Sequence, residues 1–111
     1  MLVSMTSTPD VIARYFAASE AGDIDALVAC FTDDAWVVDE ARRHEGTDAI
    51  RAWREGTSAS YTYTLQITGV TETASSELTV DTHLEGDFPG GVVDLKQIFG
   101  LSDGLISSLH I

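Results

Sequence analysis

Residues 11–39 read "VIARYFAASEAGDIDALVACFTDDAWVVD", and the fold turns on how this stretch divides. Val11, Ile12, Tyr15 and Phe16 recur at helical spacing and form one apolar helix face. Just upstream, Thr8 suits the N-cap, Pro9 the first helical position and Asp10 the positive end of the helix dipole. Gly22 is a stop signal. Asp23 then caps a short second helix, "IDALVACF", whose apolar side is Leu27, Val28 and Phe31. After it, "AWVVD" is short, apolar and bounded by acids, and reads as a strand.

Further along, Thr47 caps a third helix, "DAIRAWRE", with Ile50 and Trp53 inward and Gly56 at its end. The period then changes from helical to two. In "YTYTLQITGV", Tyr61, Tyr63, Leu65 and Ile67 share one face, with threonines and Gln66 on the other. In "SELTVDTHLEG", Leu78, Val80, Thr82 and Leu84 lie opposite Thr79, Asp81, His83 and Glu85. "DFPGG" is a turn, and "SDG" is the hairpin signal joining "VVDLKQIFGL" to "LISSLHI".

Helices first and a meandering antiparallel sheet afterwards define the α+β class. Three N-terminal helices can cover only one face of such a sheet. A strongly curved, mainly antiparallel sheet closed at one end by helices leaves a conical apolar pocket. Strand parity assigns Val80, Thr82, Leu84, Val93, Leu95, Phe99 and Leu109 to its lining, with Val37 from the earlier strand and Phe16 and Trp53 from the helices. These side chains either line a pocket or simply fill the cone. Asp81, His83, Lys96, Ile106 and His110 fall on the opposite parity.

The totals narrow the function classes. A chain of 111 residues suits one domain, residues 1–111, with residues 1–8 as a flexible tail. Hydrophobic residues make up 44%, which excludes disorder by composition. Eighteen acids against six basic residues give a net charge of −12. That charge argues against nucleic acid, whose phosphates need Lys and Arg, and against anionic membrane surfaces. No run reaches membrane-spanning length, and "MLVSMTSTPD" lacks the layout of a secretory signal, so a cytoplasmic location is expected. The single cysteine, Cys30, leaves no internal disulfide and reads as a core residue within "LVACF". His44, His83 and His110 are scattered without metal-ligand spacing, so no metal is expected.

One acid stands out. Asp39 shares its strand face with Ala35 and Val37, while Trp36, Val38 and Glu40 share the other. Both faces are apolar until the strand ends, so alternation alone does not decide which acid meets the pocket.

At this point the residues resemble a known family. The opening stretch, with its aromatic pair, its "AGDIDALV" leading to "FTDDA" and its strand ending in Asp, resembles SnoaL-like and ketosteroid-isomerase-like proteins of the NTF2-like superfamily. "HEGTDAIRAW" and the closing "IFGLSDGLISSL" resemble the next features of that family, so the likeness runs from about Pro9 to Ile111. The resemblance implies a cone-shaped α+β barrel with a deep pocket, dimerising through the outer face of the sheet and working without a cofactor. It implies Asp39 as the pocket carboxylate that moves a proton, with Glu40 outside, and Tyr15 as hydrogen-bond donor to a developing oxyanion. Gln97 falls where the isomerases carry a protonated acid as second donor. Its amide N–H can donate at any pH, but more weakly. Each residue also has a bland reading: Asp39 as a strand-end acid paired with Arg42 or Arg43, Tyr15 as a core aromatic, Gln97 as partner of a backbone group. Arg54 lies near where some isomerases place a supporting tyrosine, and reads as a partner for Asp39, an anion binder or a surface residue.

Departures from the family pattern are the missing acidic donor, Glu40 where proline is common, and an end at Ile111 without a closing aromatic. Two functions follow as expectations. One is an isomerase, cyclase or dehydratase acting on a small apolar carbonyl compound by enolisation. The other is a non-catalytic module that binds a small ligand or serves as a dimeric accessory domain.

Overall fold

The computed structural model describes residues 9–58, 63–74 and 76–111. The expected tail at residues 1–8, including Thr8 as a cap, and Tyr61 lie outside the described residues.

Helix α1 spans Asp10–Ala21 and buries Val11, Ile12, Tyr15 and Ala18. Pro9 is its N-cap rather than its first residue, because its ψ of 148° is still extended. The helix ends in a Schellman motif. Gly22 takes the left-handed conformation at φ 71°, its N–H bonds the Ser19 carbonyl, and the Asp23 N–H bonds the Ala18 carbonyl at 2.9 Å. Asp23 caps α2, Ile24–Val28, by accepting from the Ala26 N–H at 3.0 Å. This helix is shorter than expected. Phe31 leaves it to begin β1, Phe31–Asp39, and packs edge-on against Tyr15 with ring centroids 5.8 Å apart.

β1 is therefore longer than "AWVVD", with Asp33 and Asp34 exposed along it. It turns into β2, Arg42–Glu45, a strand the sequence reading does not contain. The two residues of the turn, Glu40 and Ala41, both have positive φ, at 52° and 63°. Tight hairpins of this kind are usually marked by Asn or Gly, and neither is present. Helix α3 spans Thr47–Ser58 and buries Ile50, Trp53 and Arg54. Gly56 does not end it. That glycine lies within the last turns and not in the left-handed region, so the helix runs on.

The remaining strands are β3, Tyr63–Ala74; β4, Glu77–Gly86; β5, Val92–Ser102; and β6, Leu105–His110. They form a six-stranded sheet in the order β2-β1-β6-β5-β4-β3. Every neighbouring pair is antiparallel except β1 with β6. The described residues thus form an α+β fold of three helices and one mostly antiparallel sheet. Among the described residues, no helix is long and apolar enough to cross a membrane.

Parity holds along β4, where Leu78, Val80, Thr82 and Leu84 are buried and their neighbours are not. The outward side carries ion pairs instead: Lys96 with Asp81 at 2.7 Å, and His83 with Asp94 at 2.6 Å and Glu85 at 2.8 Å. Hydrogen bonds donated by its ring to the Glu85 and then the Asp94 carboxylates raise the pKa of His83. Ile106, expected on the outer parity, is fully buried. The β5–β6 register slips between Gly100, opposite Ser108, and Leu101, opposite Ile106. That extra residue reverses the facing of Ile106. A side chain at Gly100 would meet the Ser108 hydroxyl, which would have to rotate away.

The core joins Val11, Ile12 and Tyr15 of α1 to Val37 of β1, Ile50 of α3, Phe99 of β5, and Ile106 and Leu109 of β6. Phe99 is fully enclosed, with the Tyr15 ring at 5.5 Å and the Phe16 ring at 5.8 Å. Phe99→Ala should therefore cost about 3–5 kcal/mol, read as a lowered urea midpoint with an unchanged slope.

Candidate active site

The C-terminal part of α1, the end of β1, α3 and the inner faces of β3, β4 and β5 border a half-open cavity of about 490 Å³. That is within the usual range for small-molecule sites, about 300–1,000 Å³. Phe16, Trp53, Leu65, Leu84, Val93 and Leu95 supply its apolar wall. Tyr15, Ser19, Asp39, Arg54, Tyr63 and Gln97 bring polar groups to it.

All three candidate catalytic residues border this one cavity. Asp39 reaches it as the last residue of β1, just before the tight turn. One carboxylate oxygen accepts a hydrogen bond from the Trp53 indole N–H at 3.0 Å. α3 thus fixes the acid that β1 presents. The sequence reading has both residues in the pocket but not the bond between them. Glu40, expected outside, is exposed yet also borders the cavity.

Tyr15 projects from α1 into an aromatic cluster with Phe16, Phe31 and Phe99. Burial raises its phenol pKa well above the ordinary range. The Arg54 charge opposes that rise, while Tyr63, Asp39 and Cys30 add to it. Tyr15 therefore keeps its hydroxyl proton at neutral pH.

Gln97 is buried, and its amide N–H points to the Thr82 hydroxyl at a long 3.4 Å. That hydroxyl donates to the Leu95 carbonyl at 3.1 Å. Gln97 is thus partly engaged within the sheet.

Of the expected lining, Phe16, Trp53, Leu84, Val93 and Leu95 border the cavity. Val37, Val80, Thr82, Phe99 and Leu109 do not; each is fully buried in the interior. Parity correctly turns them inward, but the helices close over these positions. Ser19, Tyr63, Phe88 and Ile111 border the cavity and were not singled out from sequence. The apolar-face position of Tyr63, in "YTYTLQ", was the available signal for it. Arg54 is 8% exposed rather than a surface residue. Its Nη2 donates to the Tyr63 hydroxyl at 3.1 Å and to the Ser19 hydroxyl.

With this geometry in view, the comparisons with known proteins are specific. Residues 12–109 match the SnoaL-like domain. The chain belongs to that family. A provisionally assigned polyketide cyclase from Sinorhizobium meliloti is 34% identical, with a TM-score of 0.87 over 93% of this chain and 94% of that one. A Catenulispora acidiphila protein of ketosteroid isomerase-like fold, solved with trimethylamine, is 22% identical with a TM-score of 0.82, covering 94% of this chain and 85% of that one. A Δ5-3-ketosteroid isomerase from Mycobacterium sp. is 18% identical with a TM-score of 0.74, covering 91% and 88%. The last two likenesses establish shared fold.

The buried phenol has a consequence for stability. An unfolded tyrosine ionises near pH 10, whereas folded Tyr15 holds its proton to higher pH. Above about pH 10 the unfolded state therefore binds fewer protons, and stability falls as pH rises. Tyr15→Phe should show a shallower alkaline loss than the wild type when denaturant unfolding is followed from pH 8 to 11, both values being chosen to bracket an ordinary tyrosine at about 10.

Proposed function

We propose that the SnoaL-like domain is an enzyme acting on a small apolar carbonyl compound by enolisation, with Asp39 as general base and Tyr15 as oxyanion donor. The observation that carries this is the placing of both groups on one cavity, with Asp39 oriented by Trp53. In the reaction, Asp39 takes a proton from the carbon next to the carbonyl. The C–H electron pair moves into a new carbon–carbon double bond, and the carbonyl oxygen takes up negative charge. The Tyr15 hydroxyl donates to that oxygen, and Gln97 adds a weaker amide donor. Return of the proton to a different carbon gives isomerisation. Attack of the enolate on a second carbonyl gives cyclisation, and loss of a hydroxide from the adjacent carbon gives dehydration.

The apolar wall of Phe16, Trp53, Leu65, Leu84, Val93 and Leu95 supports this reading, because it suits the hydrocarbon part of such a compound. A homodimer would use the outer face of the sheet, where the Asp81–Lys96 and His83–Asp94 pairs stand. Such an interface would be polar and weaken with added salt. Sedimentation at micromolar concentration should therefore show a dimer that dissociates as salt is raised; a strict monomer at low salt would remove the dimer from the proposal.

Enolisation is tested by deuterium exchange. Small cyclic and aromatic ketones are incubated in heavy water and followed by NMR. Wild-type protein should exchange the protons next to the carbonyl, and Asp39→Asn should slow this by about 100-fold or more while remaining folded. Ketones that bind without exchange would point to the non-catalytic binding module instead.

A further inference from the structure

Tyr63 opens β3 and borders the cavity together with Tyr15, Ser19, Asp39 and Arg54. Its hydroxyl oxygen takes an N–H from Arg54 Nη2 at 3.1 Å. The direction of this bond is forced. A guanidinium has donors and no acceptor, so the phenol oxygen can only accept, and the phenol's own hydrogen is not spent on the bond. Among the described residues, no acceptor is paired with that hydrogen. Accepting one bond also polarises the O–H, which strengthens it as a donor.

Tyr63 also stands near Tyr15. Burial is the main cause of the raised Tyr15 pKa, and of the neighbouring groups that add to the rise Tyr63 comes first, ahead of Asp39. The two phenols and the acid therefore lie close together on one cavity. Gln97 is less well placed to hold an oxyanion. Its amide is turned to the Thr82 hydroxyl at 3.4 Å, within the sheet.

We propose that Tyr63 is a further catalytic residue, a second phenol that donates a hydrogen bond to the oxyanion beside Tyr15 and ahead of Gln97. Tyr15 comes from α1 and Tyr63 from the edge strand β3, so the developing negative charge is held from two elements. The bond from Arg54 fixes the Tyr63 oxygen in advance, so this donor need not reorganise as charge develops. This assignment rests on the reading of the cavity as a carbonyl site, but it concerns hydrogen bonding to an anion and needs no turnover.

The test uses para-nitrophenolate as a stand-in for the enolate and para-nitroanisole as its neutral counterpart, both titrated by NMR against protein carrying Asp39→Asn. The asparagine stands for the acid once it has taken its proton, and it removes like-charge repulsion from the probe. Adding Tyr63→Phe should weaken nitrophenolate binding about tenfold and leave nitroanisole binding unchanged, which also shows that the variant is folded. Tyr15→Phe should act in the same way, and Gln97→Met should cost less than either. Ser19→Ala is the control. It removes the other hydroxyl on Arg54 Nη2 but keeps both phenols, so nitrophenolate affinity should stay near that of the parent. Unchanged nitrophenolate affinity in Tyr63→Phe, or an equal loss of both probes, would overturn the assignment. So would a loss in Ser19→Ala as large as that in Tyr63→Phe, which would trace the effect to the placing of the arginine. If Tyr15→Phe alone weakens the anion, the oxyanion site stands and Tyr63 is not part of it. If Tyr63→Phe acts as expected while the wild type exchanges no ketone protons, the donor pair stands and the enolisation reading fails.

Discussion

The edge-to-face packing of Tyr15 and Phe16 on Phe99 is the contact on which the architecture depends. It fastens α1 to the middle of β5, and Phe31 extends the cluster to β1. Each such ring pair contributes about 0.5–1.5 kcal/mol beyond area burial, so the cluster outweighs most individual contacts in a domain of this size. It also shapes the cavity. Phe99 is wholly enclosed, whereas Tyr15 and Phe16 also border the cavity. Stability and site geometry therefore share the same side chains.

The polar side of the cavity is arranged differently. Asp39, Tyr15 and Arg54 come from three elements, and each is fixed by a different kind of contact: an indole hydrogen bond, aromatic packing and a pair of hydroxyls. A carboxylic acid side chain, a phenol and a guanidinium thus border one cavity, which distinguishes it from a plain apolar hole.

Much of this was legible in the sequence because the signals are local. The Asp23 cap, the Gly22 stop and the alternation along "ELTVDTHL" each act within a few residues. Where the signal was not local, the reading failed. The Glu40–Ala41 turn contains neither Asn nor Gly, so β2 went unseen. The facing of Ile106 depends on a bulge in the pairing of two strands, between Gly100 opposite Ser108 and Leu101 opposite Ile106. Alternation turned Phe99 and Leu109 inward but could not say that other side chains would cover them. Asp39, Tyr15 and Gln97 were reached through family resemblance, since no spacing rule links positions so far apart. The Ser19–Arg54–Tyr63 junction joins three segments and left no pattern to read.

The parallel pairing of β1 with β6 joins nearly opposite ends of the chain. Phe31 lies opposite Ile106, Val38 opposite His110, and the Ile111 N–H reaches the Val38 carbonyl at 2.9 Å. During translation, then, β1 emerges long before the strand that completes it. Until β6 has been made and folds back, one edge of β1 is open, with its apolar residues awaiting a partner. Non-local pairing of this kind slows folding, so the nascent chain spends its most aggregation-prone interval with the acid-bearing strand unpaired.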